Sequence, residues 1–146
     1  MRAPSIVLDT NVILDWLVFR HPSSVELSAR IESGQIRWLV STDTRGEFEH
    51  VLGRGIGATF SPDFELIQST WDRLAVAVEP IPLLGAATRM RCNDPDDQKF
   101  VDLALAYGAR WLLSRDRAVL KLAKRCRTLG LQVLTPEQWL DSISVR

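Results

Sequence analysis

Short apolar runs alternate with amphipathic stretches along almost the whole chain, and this alternation restricts the fold more than any other feature. SIVL (5–8), IRWLVS (36–41), RWLLS (110–114) and LQVL (131–134) are short, almost continuously apolar runs, and they read as strands buried on both faces. Between and after them, TNVILDWLVF, PSSVELSARIESG, TDTRGEFEHVLGR, DFELIQSTWDRLA, DDQKFVDLALAYG, DRAVLKLAKRCRTLG and TPEQWLDSI carry helical spacing. Gly34, Gly108 and Gly130 are placed as helix stops, Ser61 as the cap of a helix opened by Pro62, and Thr135, Pro136 and Gln138 as a capped helix start. AVEPIPL reads as a strand or extended run, and GAATRMRCNDP is the least regular part. Strands alternating with helices give an α/β fold whose mostly parallel sheet is covered on both faces.

The 146 residues, 46% of them hydrophobic, suit one domain spanning 1–146 with a core that needs neither disulfides nor a structural metal. Eighteen basic residues balance eighteen acidic ones, so a polyanionic partner would have to be met by a local patch. Cys92 and Cys126 lack metal-ligand spacing and suit a reducing cytoplasm as free thiols. No apolar run approaches the ~18 residues that span a bilayer, so the expected location is cytoplasmic.

Four acids recur at one kind of place. Asp9 ends the first strand, Glu47 lies early in the helix after the second, Asp97 opens the DDQKF helix, and Asp116 follows RWLLS. Ligands of open α/β sheets bind beyond the carboxyl ends of the strands, so such acids can converge there. Each also has an ordinary use, because carboxylates cap helices and favour the positive end of the dipole. Glu47 stands three residues after Thr44, the spacing of a capping box, while Asp94 and Asp96 suit caps for the helix containing Asp97. Capping accepts Ser, Thr or Asn equally well, and does not explain four acids at equivalent positions. Converged carboxylates repel one another unless a cation sits among them, and without a His or Cys cluster the donor set suits magnesium or manganese, one ion or two. Such a centre can activate water and offset charge on a phosphodiester, which points to a nuclease. Asn11 and Ser114, each two residues from an acid, are supporting candidates. His21, His50 and the five tryptophans fit packing roles better than chemistry.

Fifteen arginines accompany only three lysines, and seven basic residues fall between Arg110 and Arg127 against the single acid Asp116. Arg115, Arg117, Lys121 and Lys124 are the candidate contacts to a nucleic-acid phosphate backbone, with Arg89 and Arg91 as extensions. A solvated helix face would carry the same residues.

IVLDTNVILDWL, STDTRGEFEHVL and DPDDQKFVDLALAYGARWLLSRD, in this order and spacing, resemble the PIN-domain nucleases, particularly the bacterial VapC-type toxin components. The resemblance spans nearly the whole chain. It implies a three-layer α/β/α sandwich, a magnesium or manganese site built by Asp9, Glu47, Asp97 and Asp116 as catalytic and metal-binding acids, and cleavage of RNA. It also brings a small antitoxin and a second copy of the chain as partners. The family's common Thr before the last acid is Ser114 here, and its usual small residue is Arg115. Asp94 and Asp96 compete with Asp97 for one position. Two other function classes share parts of this pattern: an Asp9-nucleophile phosphatase or phosphoacceptor, and a non-catalytic RNA- or partner-binding module on the same fold. Asn11 stands where a dehalogenase-like site would want a second Asp, which disfavours the first.

Overall fold

The computed structural model describes residues 2–55 and 62–144. Five strands form a wholly parallel sheet: β1 (Ser5–Leu8), β2 (Arg37–Val40), β3 (Ala75–Ala77), β4 (Trp111–Leu113) and β5 (Gln132–Leu134), in spatial order β3-β2-β1-β4-β5. Among the described residues eight α-helices connect or follow them: α1 (Thr10–Leu17), α2 (Val25–Glu32), α3 (Thr42–Gly53), α4 (Phe64–Leu74), α5 (Gln98–Ala106), α6 (Arg117–Leu120), α7 (Ala123–Arg127) and α8 (Pro136–Ser144).

Parallel strands must be buried on both faces, and successive side chains in each strand supply two cores. Ile6, Leu8, Trp38, Val40, Trp111 and Leu113 face one core, filled by α1, α2, α3, α4 and α8. Val7, Leu39, Leu112 and Val133 face the other, filled by α5, α6 and α7. The fold is therefore the expected α/β sandwich. All five tryptophans are buried, and Trp38 meets Trp16 and Trp71 edge-on at 5.0 and 4.7 Å between ring centroids.

Several local expectations change. The basic stretch after Asp116 is two short helices rather than one, because Leu122 and Cys126 turn inward against β5 and its neighbours. The third strand, Ala75–Ala77, starts two residues before the AVEPIPL run (77–83) and takes only Ala77 from it, after which the prolines leave an extended segment. Asp63 caps α4 by accepting from the Leu66 amide at 3.1 Å. The proposed cap Ser61 lies outside the described residues. The Thr135–Gln138 capping box is present in both directions.

The order β3-β2-β1-β4-β5 makes the chain reverse direction across the sheet between β1 and β4. At such a switch point the connections leave on opposite faces and open a crevice beyond the strands' carboxyl ends. Asp9 and Asp116 flank it.

Candidate metal centre

Asp9 is 2% exposed. It caps α1, with Oδ1 accepting from the Val12 amide at 3.1 Å, while Oδ2 accepts from the hydroxyl of fully buried Ser114. The same Ser114 oxygen accepts from the Asp116 amide at 3.0 Å, so one hydroxyl links the ends of β1 and β4. Burial, opposed in part by these bonds, pushes the Asp9 carboxyl up to about 6; the charges of Asp116 and Glu47 add to the rise.

Asp94, Asp97 and Asp116 each offer a carboxylate oxygen within 4.8 Å of the others. Asp94 caps the short 3₁₀ turn Pro95–Asp97 through the Asp96 amide at 3.0 Å, and Asp116 caps α6 through the Ala118 amide at 2.8 Å. Capping and convergence thus coexist, because a cap engages one oxygen and leaves the other. Asp97 caps nothing. Its Oδ2 is buried without a hydrogen-bond partner, and its carboxyl rises to about 7, through burial first, then a proton-sharing contact with Asp116 and the charges of Asp116, Asp94 and Asp9.

Glu47 stands apart from this triple. Thr10 donates its hydroxyl to Oε2, and the Lys99 ammonium lies 2.5 Å from Oε1 while also donating to the Asp96 carbonyl at 2.7 Å. The spacing from Thr44 suggests that Glu47 closes a capping box, and that reading is corrected: Thr44 pairs with Ser41, the true cap of α3, and Glu47 stands in the second turn outside the cap. Asp96 is exposed, and its amide and carbonyl rather than its carboxylate touch this region. Asn11 is exposed on the first turn of α1.

Three contributors escape the sequence pattern. Thr10 and Lys99 hold Glu47, and Gln98 ties the chain before the acids to α5 by accepting from the Cys92 amide at 2.6 Å and donating to the Met90 carbonyl at 2.9 Å. Lys99 carried a usable signal, being the one lysine among the DPDD acids. Gln98 carried none, since it acts on backbone from an irregular segment.

The basic stretch divides. Arg110 stacks over Trp111 at 4.9 Å and bonds the Ser5 carbonyl through its amide, which puts it at the opposite edge of the sheet from the acids. Arg115 has its donors engaged by Asp15 (2.8 Å), Ser23 (3.2 Å) and both oxygens of Glu137 (2.9 and 2.8 Å). Arg117, Lys121, Lys124, Arg125 and Arg127 are exposed, and Arg125 reaches the Arg89 carbonyl at 3.0 Å.

The donor set tests well against a hard divalent ion. Carboxylates alone converge, one buried oxygen has no partner, two carboxyls titrate upward, and the nearby ammonium is engaged by Glu47. A PIN domain model matches residues 5–118, which include Asp9, Glu47, Asp94, Asp97 and Asp116. The chain belongs to the PIN domain family. Eight chains of solved structures match its fold. One is VapBC2 from Rickettsia felis, solved in complex with a DNA fragment from its promoter; it aligns with a TM-score of 0.55 and 16% identity over 88% of this chain and 98% of its own. At that identity the likeness is one of fold. No curated protein matches the sequence.

Proposed function

We propose that this PIN domain, spanning 1–146, is a magnesium- or manganese-dependent endoribonuclease whose acids gather at the β1/β4 switch point. The observation that carries the reading is the partnerless buried oxygen of Asp97 inside a three-carboxylate cluster beside Asp9. Asp94, Asp97 and Asp116 would supply ligand oxygens, and Asp9, held by Ser114, would act with them. Bound there, the ion supplies a Lewis acid that lowers the pKa of water and offsets charge developing on a phosphodiester. Glu47 is oriented by Thr10 and Lys99, in position to orient or accept a proton from water. Asn11, exposed on the rim, is available to substrate.

Arg117 opens the helix that Asp116 caps, Lys121 is its C-cap and Lys124 lies in α7, so the RNA backbone would run from the acids along α6 and α7. Arg115 first serves to tie α8 to α1. The phosphoacceptor alternative is disfavoured because both Asp9 oxygens accept hydrogen bonds inside the fold and the carboxylate is nearly inaccessible. With a VapBC2 structure among the fold matches, the reading extends to a toxin role with a small antitoxin as partner; a homodimer and a cytoplasmic location are the further parts of the proposal.

Asp9→Asn tests the reading. The variant should keep the fold by circular dichroism and lose metal-dependent cleavage of a labelled RNA, and EDTA should silence the wild type. Undiminished cleavage by a purified variant would remove Asp9 from the chemistry.

A further inference from the structure

Next to the acids, across Lys99, lies a cavity of about 510 Å³ between the start of α3, the face of α5 and the extended segment after β3. Its size falls within the roughly 300–1,000 Å³ of small-ligand sites. Lys99 belongs to both places: it lines the cavity, and its ammonium holds Glu47. The apolar part of the cavity wall includes Pro80, Ile81, Leu83 and Leu103, and Ile81 remains 46% exposed. Four charged groups interrupt this lining; Lys99 is held by Glu47 and Asp102 accepts from the Gln98 side-chain amide at 2.8 Å, which leaves Asp43 and Arg91 as the less engaged pair. Asp43 is an exposed carboxylate with no ion pair or hydrogen bond of its side chain among the described residues. Arg91 is exposed and only loosely paired, 3.9 Å from Asp102.

Resting on the ribonuclease reading of the neighbouring acids, we propose that this cavity seats the base of a nucleotide flanking the scissile phosphate and selects guanine. Single-stranded RNA is read through bases turned out of the stack, between apolar faces and on their hydrogen-bonding edges. Guanine presents adjacent N1–H and N2–H donors, which fit the two oxygens of a carboxylate such as Asp43. It also presents O6 and N7 as paired acceptors, which fit a guanidinium such as Arg91. Adenine and uracil lack the double-donor edge, and cytosine offers one amino group without the O6/N7 pair. Lys99, between the cavity and Glu47, places the base next to the phosphate that the acids would meet.

The test has two arms. Sequencing the ends of products from a random-sequence RNA should show guanine enriched at one position beside the cut for wild type, with the enrichment falling at least fivefold in Asp43→Ala and in Arg91→Ala. Separately, GMP added to the wild-type protein should shift NMR signals of the cavity residues at lower concentration than AMP, CMP or UMP. Cleavage without a flanking guanine preference, or a preference unchanged in both variants, would overturn the cavity assignment and leave the nuclease reading standing. Selective GMP shifts in a protein that cuts no RNA would remove the nuclease reading and keep a guanine site. Shifts equal for all four nucleotides would overturn the selectivity.

Discussion

Asp9 carries the sharpest single-residue consequence. Its carboxyl rises from 3.8 to about 6 on folding, so between those values the folded chain binds more protons than the unfolded one. Stability of the metal-free protein therefore falls as pH climbs from about 4 to about 6, by on the order of 3 kcal/mol for this group, and stays lower above that. Asp97, raised to about 7, adds a loss of the same sign that extends the window upward, reduced by its solvent contact. In metal-free buffer, Asp9→Asn should unfold at a higher temperature than wild type at pH 8, with the gap closing near pH 4. A thermal scan showing the gap at pH 4 instead would reverse the sign of the burial effect. Lys99→Met tests the other side of the site: it strands a Glu47 carboxylate only 21% exposed, and should cost about 1–3 kcal/mol in urea unfolding. An unchanged midpoint would mean the ion pair contributes nothing.

Helices and their ends decide how the acids are aimed. Ser41 and Thr44 close the start of α3 and leave Glu47 unbound to backbone, so Ser41→Ala should cost about 1 kcal/mol without removing an acid. Arg115 joins the end of β4 to α1 and α8 through Asp15 and Glu137. Arg115→Ala is expected to lose about 1–2 kcal/mol, and Arg115→Lys to recover only part of it, because an ammonium cannot reproduce the bidentate fork on Glu137. Denaturant midpoints of the two variants decide this: full recovery by lysine would mean that charge, not geometry, is what α8 uses.

The sequence makes these elements legible where period and punctuation agree. β1, β2, β4 and β5 stand out as apolar runs, and Gly34, Gly108 and Gly130 adopt the positive φ values (79°, 62° and 83°) that end their segments. The break between α6 and α7 was hidden because both halves keep one basic, helix-forming composition, and only packing of Leu122 and Cys126 separates them. The cap of α3 was misplaced because Ser41, Thr44 and Glu47 offer two overlapping three-residue spacings, and tertiary contacts from Thr10 and Lys99 choose between them.

Across the whole molecule, strand order turns scattered residues into a site. Asp9 and Asp116 are 107 positions apart, yet β1 and β4 are neighbours and Ser114 bridges the two acids. Sequence spacing foretold the convergence of Asp97 and Asp116, but the third member of the tightest triple is Asp94, whose cap role engages only one of its oxygens. Charge is likewise organised by topology. Arg110 sits at the far end of the strands, so the exposed basic residues of that stretch are the ones that follow Asp116, on α6, its C-cap and α7. Replacing Lys121 and Lys124 with Glu should weaken RNA binding at least tenfold at low salt and flatten its dependence on ionic strength. A salt slope equal to that of wild type would place the RNA elsewhere.

The most direct measurement is the initial rate of cleavage of a fluorescent RNA against manganese or magnesium concentration, for wild type and for Asp97→Asn. We expect a saturable, EDTA-reversible rate for wild type and a loss of at least 100-fold in the folded variant. A wild-type rate indifferent to metal, or a variant that cuts as fast as wild type across the titration, would contradict a carboxylate-held ion at the β1/β4 edge.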